Sequence, residues 1–115
     1  MASVDEIQTI SDCVSQELCR EWFADVARRL DAEVHVDEAK GVRYIGLNFG
    51  KAKSCWIFVQ VNASSTGIGV FGVRKNARGG VVRSIREDVR SLDIDAAKQV
   101  IYAVAVELPR SRNHH

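Results

Sequence analysis

The chain has 115 residues, of which 46% are apolar and 27% charged, with a formal net charge of +1. This fits one globular domain with a real core and excludes two. No apolar run approaches the roughly 18 residues a membrane-spanning helix needs, so no membrane association is expected.

The near-zero sum hides a split by position. Residues 1–38 carry ten acids against three bases, a net of −7, and residues 39–90 carry ten bases against two acids, a net of +8. Such asymmetry suggests an acidic side and a basic side, and a partner chosen by charge. The plainer reading is that the two halves face each other in the fold. The N-terminus has neither a basic n-region nor an apolar h-region, which argues against secretion. Cys13, Cys19 and Cys55 are an odd set without CxxC spacing. They read as reduced thiols, and a cytoplasmic location is expected.

In chain order, Ser3 and Glu6 form a capping box. Ile7, Ile10, Val14, Leu18, Trp22, Val26 and Leu30 then recur at near-helical spacing, which predicts one long helix over 4–30. Glu17, Glu21 and Asp25 make this helix acidic. Four strand-like runs follow: Glu33–Glu38, Val42–Phe49, Cys55–Asn62 and Ile68–Val73. Their short connections predict a four-stranded antiparallel meander. Arg74–Gly80 reads as a basic loop. Ser84 and Glu87 spell a second capping box, which predicts a short helical piece with Ile85, Val89 and Leu92 on one side. Asp93 can cap a last helix over Ile94–Leu108, and Pro109 stops it. A strand over Gln99–Glu107 is the competing reading. The expected organisation is one α+β domain over 1–109 with a frayed tail over 110–115. His114 and His115 are assigned no function.

The turn at Gly50–Ser54 sets a register. Phe49 faces Cys55, Leu47 faces Ile57, and Ile45 faces Val59, which then pairs with Val70. All lie on one aliphatic face. The same register puts Tyr44, Trp56, Phe58 and Phe71 on the other face. Large apolar patches are rarely left in water. Cover by a helix or by a second copy is therefore the first expectation, and a partner-binding surface the second. The meander also gathers Lys51, Lys53, Arg74, Lys75 and Arg78 at one pole, where they could track phosphates.

The chemical motifs are weak. Gly67-x-Gly69-x-x-Gly72 matches GxGxxG, but inside a strand-like run rather than between a strand and a helix, so no dinucleotide site is expected. Asp37 and Glu38-Ala39-Lys40 resemble the acid-x-Lys element of a large nuclease superfamily, yet the neighbouring strand offers no further carboxylate. His35 beside Asp37 does not make a zinc site. Alternation places Cys55 on the aliphatic face, where burial is expected. No catalytic set, cofactor or metal site is therefore expected. The leading expectation is a small non-enzymatic binding or regulatory protein acting by protein–protein contact. An inhibitor of a nucleic-acid-processing complex, of phage or mobile-element type, would fit. A homodimer is compatible with this reading. The alternatives are a nucleic-acid-binding domain that uses the basic pole and, further down, a divalent-metal nuclease-like domain.

Overall fold

A computed structural model of the chain describes residues 23–39, 42–61 and 66–110. Helix α1 (Ala24–Leu30) leads into β1 (Glu33–Ala39), β2 (Val42–Phe49), β3 (Cys55–Val61), β4 (Ile68–Lys75) and β5 (Val81–Val89), and the described chain ends with α2 (Ile94–Glu107). The strands form one antiparallel sheet in sequential order, so the class is α+β.

The central register follows the alternation in the sequence. Phe49 pairs with Cys55, Leu47 with Ile57 and Ile45 with Val59. Val59 in turn pairs with Val70, and Val61 with Ile68. These aliphatic residues and Cys55 form the core, closed by Phe23 and Val26 on one side and by Ala97, Ile101, Val104 and Leu108 of α2 on the other. Gly72 lets α2 approach the sheet: a Cβ there would lie 2.6 Å from Val104 Cγ1.

The sheet has five strands rather than the four expected. Val81–Val89 is strand β5, where a short helical piece opening at Ser84 and carrying Ile85, Val89 and Leu92 was expected. Ser84 and Glu87 match a capping box by spacing alone. The segment is rich in β-branched residues (Val81, Val82, Ile85, Val89), and β4 would otherwise leave a row of backbone groups unpaired. A helix could not satisfy them, whereas β5 pairs along all of β4. Arg74 and Lys75 are accordingly the last residues of β4, not the start of a loop. The reversal is left to Asn76–Gly80, where Asn76 Oδ1 accepts from the amides of Arg78 and Gly80, both at 2.9 Å, and Gly79 takes φ +83°. This is side-chain turn chemistry that Asn and Gly supply.

Of the long helix expected over 4–30, residues 4–22, with Glu17 and Glu21, lie outside the described residues. α1 ends at Asp31, which takes the left-handed conformation, while the Ala32 amide bonds back to the Ala27 carbonyl at 2.8 Å. At α2, Asp93 caps as expected, its carboxylate accepting from the Asp95 and Ala96 amides.

The two helices are tied side by side. Lys98 Nζ lies 3.1 Å from Asp25 Oδ2, and the Arg29 guanidinium sits 4.5 Å from the centre of the Tyr102 ring. Burial pushes the Asp25 carboxyl up. The Lys98 hydrogen bond, the Val26 amide and the nearby ammonium outweigh it and hold it below its ordinary value. A lowered carboxylate pKa stabilises the fold above the ordinary carboxylate range, and that stability is lost as pH falls through the lowered pKa. Lys98→Met is expected to remove this increment. The urea midpoints of wild type and variant should differ at neutral pH and converge as the solution is acidified.

Candidate interaction face

Both described helices pack on the aliphatic side of the sheet, since it is Gly72 on that side that meets Val104 and Leu108. The opposite side carries the rings. Phe58 pairs with Gly46 across one ladder and with Phe71 across the other, and Trp56 pairs with Asn48 and Val73. Trp56 and Phe58 stack with centroids 5.5 Å apart and planes 7° from parallel. Tyr44 meets Phe58 edge-on at 5.5 Å, and His35 of β1 reaches Trp56 at 5.3 Å. Gly46 makes this arrangement possible, because a Cβ there would lie 3.2 Å from Trp56 and 3.3 Å from Phe58. The rings lean over the bare backbone of β2 and cover it, a device that offsets the weakness of a strand glycine.

Tyr44, Trp56 and Phe58 are therefore half-buried against one another, while Phe71 is 39% exposed. Beside them lies a concavity of about 330 Å³, walled by Tyr44, Phe58 and Phe71, floored by Gly69, and edged by Gln60 and Arg86. A second hollow of about 320 Å³ shares Gln60, Gly69 and Arg86 with the first and continues toward Asp88 and Arg90. Together they make a trench across β3, β4 and β5. The glycines of the GxGxxG spelling serve the sheet: Gly69 leaves the trench floor open and Gly72 admits α2.

The five residues of the basic pole meet different fates. Lys75 N donates to Ser54 O, which brings the Lys51–Lys53 turn beside the end of β4. Asn48, buried in the same region, pins that turn by donating to the carbonyls of Lys53 and Cys55 at 2.9 Å. Arg74 Nη1, however, donates to Pro109 O at 3.0 Å, and Lys53 pairs with Glu33 and reaches Asp31 O. Lys51, Lys75 and Arg78 are exposed and make no ion pair among the described residues. The role of Arg74, and of Arg83 beside it, was not visible in the spacing: Arg83 binds the last carbonyl of α2, at Glu107, and Arg74 those of Pro109 and Arg110 just past it.

Asp25, the described member of the acidic set, is engaged by Lys98. Cys55 is buried in the core, 1% exposed. Among the described residues no group of three or more His, Cys, Asp or Glu side chains is placed to hold a metal ion, and no helix is long and apolar enough to cross a membrane. The molecule is thus an α+β sheet protein with one face closed by helices and one face bearing rings and a trench. Comparison with protein-family profiles, with curated proteins and with solved structures finds no match to the chain.

Proposed function

We propose that the chain is a non-enzymatic binding protein whose aromatic sheet face takes an apolar or aromatic side chain of a protein partner. The observation that carries this reading is the concavity between Tyr44, Phe58 and Phe71, with Gly69 as its floor. A pocket of this size with ring walls and two polar groups at its edge suits an anchor residue, and such anchors dominate protein interfaces. The polar continuation toward Asp88 and Arg90 suits the chain on either side of the anchor. The charge on this face supports protein over nucleic acid: Glu33, Asp37 and Asp88 stand there against Lys75, Arg86 and Arg90, so the two signs balance. A phosphate-tracking surface needs an excess of bases.

An acidic helix acting as an inhibitor of a nucleic-acid-processing complex rests on Glu17, Glu21 and Asp25. The engagement of Asp25 by Lys98 gives that narrower reading no support.

Selection from a displayed peptide library should return binders with an aromatic or large aliphatic anchor. Phe71→Ala should weaken the selected peptide at least about tenfold, as loss of a hot-spot ring does. Gly69→Ala should weaken it as well, by raising the floor. A Cβ at Gly69 has its nearest neighbour at 3.6 Å, an ordinary contact, so the fold should tolerate it. Peptides indifferent to both substitutions would sink the proposal. So would saturable binding of duplex DNA near physiological salt, with a log–log salt slope of about −3 that is lost on neutralising Lys51, Lys75 and Arg78.

A further inference from the structure

β5 is the last strand of the sheet. Among the described residues no backbone hydrogen bond reaches it from the side away from β4. A strand edge of this length is a template for another strand unless something forbids pairing. The opposite edge has such a device. β1 carries Glu33, Asp37 and Glu38 and no Lys or Arg, so a second copy of it would be repelled. β5 has neither Lys nor Pro, and its charges are of both signs. The irregularity at Arg74/Lys75 leaves Arg83–Val89 as the regular stretch.

The charges of that stretch form a self-complementary code. Antiparallel pairing of two copies about a dyad normal to the sheet puts residues of the same face opposite each other, so the dyad must fall at a single residue. With the dyad at Arg86 or at Glu87, two like charges meet at the axis. At Ser84, Arg83 is set against Ile85. At Ile85, Arg83 of each copy faces Glu87 of the other, Ser84 faces Arg86, and two Ile85 side chains meet at the centre. Only this last register combines an apolar centre with opposite charges and no like pair directly opposite, Arg83 keeping its bonds to the Glu107 and Arg110 carbonyls while Glu87 of the second copy approaches it. Glu87 is exposed and makes no ion pair among the described residues.

The helix above agrees with it. α2 turns Lys98 and Tyr102 toward α1 and Glu107 toward Arg83 of β5. Its flank on the β5 side carries Ala96, Val100 and Ala103, small enough for a second copy to approach. We propose that the chain forms a two-fold dimer in which β5 pairs antiparallel with β5 of a second copy about Ile85. The pairing continues the sheet across the dyad with both helical layers on one side. The proposal stands apart from the reading of the aromatic face.

Ser84 supplies a signed test. It is exposed, lies opposite Val73 within its own sheet, and would face Arg86 of the second copy. Sedimentation of the full chain should show a reversible monomer–dimer equilibrium. Ser84→Glu should tighten it and Ser84→Lys weaken it, each by about tenfold, because every cross-strand charge pair occurs twice in the dimer. Glu87→Lys, which sets a base against Arg83, should abolish the dimer. Thermal unfolding of each variant at submicromolar concentration checks that the monomer is intact. A chain that stays monomeric into the millimolar range would overturn the proposal. So would a dimer that ignores Ser84, one that both substitutions weaken, as the Ser84-centred register requires, or one that answers with the opposite sign, as the Arg86-centred register requires. Open-ended polymers would do so as well, because they would mean that β5 meets the acidic edge of β1.

Discussion

Gly72→Ala is expected to destabilise the protein by about 1–3 kcal/mol, the usual cost of forcing an extra methyl into a packed core. The new Cβ would lie 2.6 Å from Val104 Cγ1 and 3.3 Å from Leu108 Cδ2. Neither neighbour can yield cheaply. Val104 is β-branched and 2% exposed, and Leu108 is fully buried at the helix end. Relief therefore requires α2 to lift from β4, which uncovers Ile57 and Val70 as well. Val104→Ala in the same chain should recover part of the loss, although Val104→Ala alone costs stability by leaving a cavity. The double substitution should be less harmful than the sum of the two, and that coupling identifies the contact. Urea denaturation reads it directly: the midpoint should shift with the slope unchanged. If Gly72→Ala is neutral, the close approach of α2 to β4 is wrong, and the burial of the aliphatic face with it.

Arg83→Met is expected to cost about 1.5–3 kcal/mol, the range for hydrogen bonds that involve a charged group. Arg83 Nη1 donates to Glu107 O at 2.6 Å and to Arg110 O at 3.2 Å, and its side chain is 15% exposed. Arg74 Nη1 reaches Pro109 O and Arg110 O from the neighbouring strand. The Glu107 carbonyl is the last of α2 and lies at the negative end of its dipole, which the Arg83 guanidinium answers, while Arg74 holds the chain just past the helix. Arg83→Lys should keep the charge and still lose most of this stability, because one ammonium cannot span carbonyls on different residues as a planar fork does. Amide exchange should show the change locally, with the last turn of α2 losing protection before the sheet does. Unchanged exchange there would mean that water serves the helix end equally well.

The same two arginines change the reading of the basic region. Spacing alone makes every base near the end of β4 a candidate for phosphate. The fold commits Arg83 to the end of α2, Arg74 to the chain just past it, and Lys53 to Glu33 and the Asp31 carbonyl. Part of the charge split is answered within the molecule, since Glu33–Lys53 joins the acidic and basic stretches of the sequence.

Much of the sheet was legible because its causes are local. Strict alternation fixes which side chains share a face, and a short turn leaves little freedom of register. The pairs from Phe49–Cys55 to Val61–Ile68, the burial of Cys55 and the gathering of Tyr44, Trp56, Phe58 and Phe71 on one side all follow from those two rules. The Asp93 cap is equally local. The fate of Ser84–Val89 was not, because a capping-box spacing and a β-branched strand pattern coexist there. The unpaired edge of β4 decides between them, and that edge exists only once β4 is in the sheet. Gly46 and Gly72 are likewise silent in sequence. The need for a missing side chain is set by rings leaning from β3 and by a helix far along the chain. The alternating faces, the local turns and the caps follow from residues close together in the chain. Which polar groups are already taken, and which strand edge stays open among the described residues, depend on neighbours that folding brings together, through hydrogen-bond satisfaction and steric exclusion.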